Sequence, residues 1–130
     1  MYLLDTDWIL QALAHREPAS RTLYHLPNGQ VHLSIVSVGE LYEGAFVFAN
    51  PQAHLAGFRH FLSAYQMLPL TDPIMERFAE IRSFLRRQGQ IVGDFDILIA
   101  ATAIQYQLTL LTFNLRHFQR IPDLRLYQPN

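Results

Sequence analysis

The chain has 130 residues, half of them hydrophobic, which is the usual size of one domain and enough for a substantial core. It has no cysteine, which excludes disulfides, thiolate metal sites and a cysteine nucleophile and favours a cytoplasmic location. No apolar stretch approaches the roughly 20 residues of a membrane span. The net charge is −1, so composition predicts a single domain over residues 1–130, neither secreted nor membrane-spanning, and leaves open whether it binds nucleic acid.

Short apolar runs predict strands at 2–4, 31–35, 66–70, 109–113 and 125–127. Between them, apolar residues recur at intervals of three and four in the segments 55–65 and 74–85, which indicates amphipathic helices. Strands that alternate with helices predict an α/β fold with a mostly parallel sheet of four to five strands, covered by helices on both faces.

Several residues mark predicted helix ends. Asp72 is expected to cap the helix over 74–85, with Pro73 in its first turn and Gly89 after its last residue. Ser37 is expected to cap the helix that follows the second strand. The stretch "DFDILIAATAIQYQ" is apolar nearly all round, which predicts a buried helix with Asp94 at its N-cap.

Oxygen-bearing side chains follow the predicted strands at the edge where α/β sheets bind ligands. Asp5 ends the first strand, Glu40 lies in the helix after the second, and Asn114 follows the fourth. Asp96 lies near the start of the buried helix. Unpaired carboxylates lose several kcal/mol on leaving water, so Asp5 and Asp96 in particular require a cation.

Simpler structural roles exist for several of these residues. Asp94 can act only as a helix cap, worth about 1 kcal/mol. Asp96 and Glu40 can complement a helix dipole, and Asn114 can satisfy a turn. Glu43 lies three residues beyond Glu40 on the same helix face, and it is interpreted as a solvated or hydrogen-bonded helix residue.

A carboxylate cluster without thiolates or histidines at ligand spacing selects hard divalent ions, Mg²⁺ or Mn²⁺. Such ions activate water and stabilise charge on an attacked phosphate. The Asp-x-Asp of "LLDTD" also resembles the opening motif of haloacid-dehalogenase-type phosphatases. Those enzymes, like receiver domains and P-loop enzymes, need a lysine, whereas all ten basic residues here are arginines. The phosphatase is therefore a minor alternative.

The charges are expected to be segregated. Six of the eleven acids are expected to converge, which leaves five acids against ten arginines elsewhere and suggests an acidic pocket inside a phosphate-attracting surface. These six are Asp5, Asp7, Glu40, Glu43, Asp94 and Asp96. Candidate phosphate contacts lie on two segments, one with Arg82, Arg86 and Arg87 and the other with Arg116, His117 and Arg120.

Four segments together resemble the PIN-domain proteins, and specifically the VapC-type ribonuclease toxins of bacterial toxin–antitoxin pairs. The segments are "YLLDTD", "SIVSVGELYEGA", "RRQGQIVGDFDILIAATA" and "LTLLTFNLRHFQRIPDLRL". The resemblance covers nearly the whole chain. It implies a Rossmann-like α/β/α sandwich, Mg²⁺-dependent endoribonuclease activity on RNA, and a homodimer that a small VapB-type antitoxin holds inactive.

The resemblance also implies roles for individual residues. Asp5, Glu40 and Asp96 match the metal-binding acids of the family. Asn114 stands where many PIN nucleases have a fourth catalytic acid, which leaves a tightly held second metal in question. The residues that would support these carboxylates without binding metal themselves are Thr6, Asp94 and Thr112.

The helices carry more apolar surface than one core requires. This surface is expected to form an antitoxin groove or a dimer contact, with core packing as the alternative, and it contains Leu41, Tyr42, Phe46 and Phe48. We hypothesise that an arginine of the antitoxin reaches the carboxylates and displaces the metal. A PIN-like RNA-binding module without catalysis is the alternative function.

Overall fold

The computed structural model describes residues 1–128, in which parallel strands alternate with helices. Pro129 and Asn130, the end of the predicted domain, lie outside the described residues. The strands are β1 (Tyr2–Leu4), β2 (Val31–Ser34), β3 (Gln66–Leu68), β4 (Thr109–Leu111) and β5 (Arg125–Leu126). The α-helices are α1 (Thr6–Leu13), α2 (Ala19–His25), α3 (Ile35–Ala45), α4 (Pro51–Leu62), α5 (Asp72–Arg87), α6 (Asp94–Gln105) and α7 (Leu115–Phe118).

The five strands form one all-parallel sheet in the order β3-β2-β1-β4-β5. The strand that comes first in the chain is therefore the central one. Leu4, its last residue, pairs with Leu33 of β2 on one side and Leu111 of β4 on the other. The carboxyl ends of these three strands are level, so the residues that follow them meet at one edge of the sheet.

Helices cover both faces of the sheet, because successive strand residues point to opposite sides. Leu3 and Leu110 pack in one apolar layer with residues of α5 and α6. Leu4 and Leu111 pack in the other layer, with residues of α1, α2 and α3. The predicted α/β/α sandwich is thus confirmed. No helix among residues 1–128 has the length and apolar run required to cross a membrane.

The cap predicted at Ser37 was wrong. Strand β2 ends at Ser34, one residue earlier than expected, and the Oγ of Ser34 accepts the hydrogen bond from Val36 N at 3.1 Å. Ser37 is instead buried one turn inside α3, and its hydroxyl makes no hydrogen bond within residues 1–128. Two serines three residues apart both satisfy the capping pattern, and the strand end decides between them.

The two aspartate caps were also wrong, while the predicted C-terminal glycine was correct. Helix α5 begins at Asp72, with Thr71 at the N-cap, and α6 begins at Asp94, with Gly93 at the N-cap. At the other end of α5, Gly89 has φ +68°, and its N–H donates to Arg86 O at 3.0 Å. Both aspartates lie in first turns, where a negative charge still complements the helix dipole.

Candidate active site

Asp5 joins β1 to α1 and has two structural roles. Its Oδ1 accepts a hydrogen bond from the backbone N–H of Thr6 at 2.9 Å, which caps α1. Its Oδ2 accepts the hydroxyl hydrogen of Thr112 at 2.7 Å, from the residue that follows β4. Only 5% of Asp5 is exposed. The acid is therefore fixed at the central edge of the sheet by partners from two segments.

Glu40 reaches the same edge from α3. The hydroxyl of Thr6 donates to Glu40 Oε1 at 2.6 Å, a contact between residues 34 positions apart. Thr6 and Thr112, both predicted to support the carboxylates, therefore each hold one of them. Glu43, one helical turn further along α3, is exposed. The structure brings Glu40 to the site and leaves Glu43 outside it.

Asp96 lies in the first turn of α6, and it faces Glu40 across a depression of about 400 Å³. The depression is lined by Glu40, Gly93, Asp94, Phe95 and Asp96. Burial raises the pKa of Asp96, and the negative charge of Glu40 raises it further, whereas His117 lowers it. Asp96 and Glu40 are thus close enough to repel one another.

Asp7 is a fourth acid at this edge. Its Oδ2 accepts the N–H of Phe113 at 3.1 Å and lies 3.4 Å from the Thr112 hydroxyl, and its Oδ1 is buried without a partner among residues 1–128. Burial raises its pKa. The Asp-x-Asp pattern indicated that Asp7 converges with Asp5, but no functional role was predicted for it.

The electrostatics of the edge are those of uncompensated negative charge. Burial raises the pKa of Asp5 to about 7, the charges of Asp7 and Asp96 add to the shift, and the hydrogen bonds from Thr112 and Thr6 oppose it. A bound divalent cation would favour the ionised forms of all these acids. Carboxylate oxygens are also the donors that Mg²⁺ and Mn²⁺ prefer, so the residues fit such an ion. Within residues 1–128, however, no three acidic or histidine side chains are drawn together as closely as the ligands of one ion.

Asn114 and His117 lie next to Asp96. The Asn114 side-chain nitrogen is 2.9 Å from His117 Nδ1, and the same imidazole nitrogen is 3.9 Å from Asp96 Oδ2. The backbone N–H of Asn114 donates to Thr112 Oγ1 at 3.0 Å. His117 was predicted as a candidate phosphate contact, but its approach to Asp96 was not predicted, because it depends on the turn into α7.

Asp94 lines the same depression, but its carboxylate pairs with an arginine and not with the acids of the sheet edge. Its carboxylate accepts a hydrogen bond from Arg82 Nε at 2.8 Å in an exposed ion pair between α6 and α5. Arg82, Arg86 and Asp94 line a cleft of about 390 Å³, which shares Gly93 and Asp94 with the depression that contains Asp96. Positive charge therefore directly adjoins the acidic site on this side.

Two further candidate phosphate contacts, Arg87 and Arg116, are placed differently. Arg87 is the next residue after Arg86 on α5, yet its Nη1 donates to Ser83 Oγ at 2.8 Å and its side chain lines a separate depression beside Pro122. Arg116 is exposed in α7, one residue before His117. The structure thus brings Arg86 to the acidic site, leaves Arg87 away from it, and places Arg116 on the side of Asn114.

The four apolar residues predicted to form a contact surface do not share one environment. Leu41 is 1% exposed and belongs to the core, so its assignment to the surface was wrong. The Tyr42 ring is partly covered by the Arg59 guanidinium at 5.1 Å. Phe46 and Phe48 are exposed, and Phe48 stacks on His54 with ring centroids 3.8 Å apart.

Comparisons with known proteins agree with this architecture. The PIN domain family model matches residues 2–124. Ribonuclease VapC2 of Haemophilus influenzae and the tRNA(fMet)-specific endonuclease VapC of Shigella flexneri are each 32% identical over 124 residues, which cover 95% of this chain and 94% of each relative. The crystal structure of VapBC2 from Rickettsia felis bound to a promoter DNA fragment contains a chain with a TM-score of 0.90 and 28% identity, with 99% of this chain and 98% of that chain covered. This chain therefore belongs to the PIN-domain family and, within it, to the VapC-type ribonucleases.

Proposed function

We propose that this protein is a Mg²⁺-dependent endoribonuclease, active with Mn²⁺ as well, and the toxin of a type II toxin–antitoxin pair. The observation that carries the proposal is the convergence of Asp5, Glu40 and Asp96 at one sheet edge, where burial and mutual repulsion raise the pKa of two of them. Such a cluster is costly for a fold and useful for binding a cation.

In this proposal Asp5, Glu40 and Asp96 hold the metal. The bound ion would lower the pKa of a coordinated water and stabilise the charge that develops on the phosphate. Thr6 and Thr112 fix the orientation of Glu40 and Asp5 through their hydroxyl hydrogen bonds.

The polar groups around the cluster have proposed roles as well. Asn114 presents an amide beside Asp96, where it can donate to a water or a phosphate oxygen without adding negative charge. Asp94 acts indirectly, because its ion pair holds Arg82 in the cleft that adjoins the acidic depression.

We further propose that RNA phosphates approach the acids from two sides, through Arg86 in the cleft and Arg116 on α7. The relative from Shigella flexneri is named as specific for tRNA(fMet). A structured RNA with an exposed, unpaired loop suits this arrangement, since the bases of a loop can be splayed into a site that a duplex cannot enter. Initiator tRNA is therefore the first defined substrate to test.

We propose a VapB-type antitoxin and a second copy of this chain as protein partners. The Rickettsia felis neighbour was solved as a VapBC complex. Phe46 and Phe48 provide exposed apolar area for one of these contacts. An antitoxin arginine that reaches the carboxylates would replace the metal charge, so antitoxin and Mg²⁺ are expected to compete for the free protein.

The test is cleavage of total cellular RNA and of initiator tRNA by purified, antitoxin-free protein. Discrete fragments are expected with Mg²⁺ or Mn²⁺, and none with EDTA or with Asp96→Asn. RNA that binds but remains intact under every metal condition would favour the non-catalytic RNA-binding module. Fragments that persist in EDTA would contradict the metal site.

A further inference from the structure

Phe95 lies between Asp94 and Asp96 in the first turn of α6, yet it is 56% exposed. Six of the twelve residues of this helix are buried, and the first of them is Ile97, two residues later. With more than half of its surface exposed, the side chain adds little to the apolar core. Its place between the two acids leaves it free to contact a ligand there.

The surroundings of Phe95 are those of the acidic site. It lines the depression of about 400 Å³ that also contains Glu40 and Asp96, and the other lining residues are Gly93 and Asp94. Phe95 is thus the single apolar side chain among the residues that line this depression. It provides the apolar surface there that a flat, neutral ring can stack on, whereas the carboxylates bind cations and hydrogen-bond donors.

The other exposed aromatic ring near the acids already has one face covered by an aromatic partner. Phe113 stacks face to face on Trp8, with ring centroids 4.4 Å apart and an interplanar angle of 7°. Within residues 1–128 the Phe95 ring stacks on no other aromatic side chain. Phe95 is therefore the ring of the two that has no aromatic partner in the described residues, and it is the more exposed one.

We propose that Phe95 is the platform on which a nucleobase next to the cleaved phosphodiester stacks. The inference rests on the proposed ribonuclease function and adds the group that positions its substrate. A base stacked on Phe95 would bring its own phosphate to Glu40 and Asp96, in the same depression. Because every base presents a flat π face, the platform selects unpaired over paired RNA and depends little on base identity.

The test measures kcat/KM on a synthetic RNA loop that spans a mapped cleavage site. Phe95→Ala is expected to lower kcat/KM about tenfold, Phe95→Leu to lower it similarly, and Phe95→Trp to preserve it, because stacking needs a flat ring as well as apolar area. The matched control is Tyr24→Ala, an exposed aromatic on α2, which is expected to leave kcat/KM unchanged.

The second experiment uses a series of RNAs, each with a single abasic nucleoside at a different position. One abasic position beside the cut should reduce wild-type kcat/KM about tenfold and cause no further loss in Phe95→Ala. Unchanged kinetics in Phe95→Ala, or losses that multiply independently at every position, would overturn the platform. The platform would also be overturned if Phe95→Ala changed only the oligomeric state or the affinity for antitoxin.

A binding measurement separates failure of the platform from failure of the ribonuclease proposal. The chain has one tryptophan, Trp8, which is buried, so a new indole in Phe95→Trp reports on its own surroundings. Oligoadenylate added in EDTA should quench the additional emission. If the wild type cuts no RNA but this quenching occurs, base stacking at position 95 is supported and the ribonuclease proposal fails. If the wild type cuts RNA and no quenching occurs, the platform alone fails.

Discussion

The hydroxyl of Thr112 donates a hydrogen bond of 2.7 Å to the carboxylate of Asp5, although the two residues lie 107 positions apart. The same hydroxyl oxygen accepts the backbone N–H of Asn114 at 3.0 Å. One threonine at the end of β4 therefore fixes both the buried acid of β1 and the turn that carries Asn114. The hydroxyl has a single hydrogen, which it donates to Asp5, so its oxygen can only accept the hydrogen bond from Asn114.

Thr112→Val is expected to weaken Mg²⁺ activation by roughly 10- to 100-fold, since an unrestrained Asp5 would lose its orientation toward the proposed metal. The measurement is RNA cleavage as a function of Mg²⁺ concentration. Thr102→Val is the matched control, because Thr102 is also buried and hydrogen-bonded, to Leu98 O at 2.8 Å, but within α6. An equal effect of both variants would assign Thr112 a general role in stability.

Asp5→Asn is expected to stabilise the metal-free protein at neutral and higher pH. The pKa of Asp5 rises from its ordinary 3.8 to about 7 in the folded state, so between these values the folded protein holds a proton that the unfolded chain releases. The folded state then binds more protons, and the free energy of unfolding falls as the pH rises through this window. Asp5→Asn removes this pH dependence, so above pH 7 its free energy of unfolding should exceed that of the wild type by up to roughly 4 kcal/mol.

Thermal unfolding in EDTA, from pH 4 to pH 8, tests this linkage. Asp94→Asn is the control, because its exposed ion pair with Arg82 predicts a change below about 1 kcal/mol. If the wild type and Asp5→Asn show parallel stability profiles, Asp5 titrates near its ordinary pKa and the charge argument for a cation fails.

Mg²⁺ is expected to raise the melting temperature of the wild type, and more so above pH 7, where Asp5 is ionised. At a concentration 100-fold above Kd the stabilisation is about 2.7 kcal/mol, which corresponds to several degrees for a chain of this size. Asp96→Asn should abolish the effect, and EDTA should reverse it. If Mg²⁺ leaves the melting temperature of the wild type unchanged, the ion does not bind to the protein without RNA.

Arg86→Ala is expected to raise KM for RNA and to reduce its dependence on salt concentration, with little effect on Mg²⁺ activation. Arg86 lines the cleft next to the acids, so its removal costs one phosphate contact. Arg87→Ala removes the same charge from the next residue of α5, where the guanidinium binds Ser83 and faces another depression. Equal losses in the two variants would indicate general attraction by surface charge and no defined contact.

The sheet and the elements that carry the acids were predictable, because buried parallel strands leave short apolar runs. The starts of all five strands were correct. Four of them end one or two residues earlier than predicted: for example, Ile35 already belongs to α3, and Phe113 is turned toward Trp8. Apolar character alone does not mark where a strand becomes a helix or a turn.

Contacts that depend on side-chain direction were not predictable. Asp94 and Asp96 are two residues apart, and helix geometry sends one toward Arg82 and the other toward Glu40. The place of His117 beside Asp96 depends on the turn that begins at Asn114. Sequence spacing identifies such residues as neighbours of the site, whereas their partners follow only from the packing of α5, α6 and α7.

The order of the strands also governs when this chain becomes an enzyme during its synthesis. The central strand β1 leaves the ribosome first, but it pairs with β4 on one of its sides. A nascent chain that has grown only as far as α6 already contains Asp5, Glu40 and Asp96, yet it lacks β4 and the Thr112 that binds Asp5. An incomplete chain therefore contains all three acids without their alignment, and we expect stalled or truncated translation products to be harmless to the RNA around them.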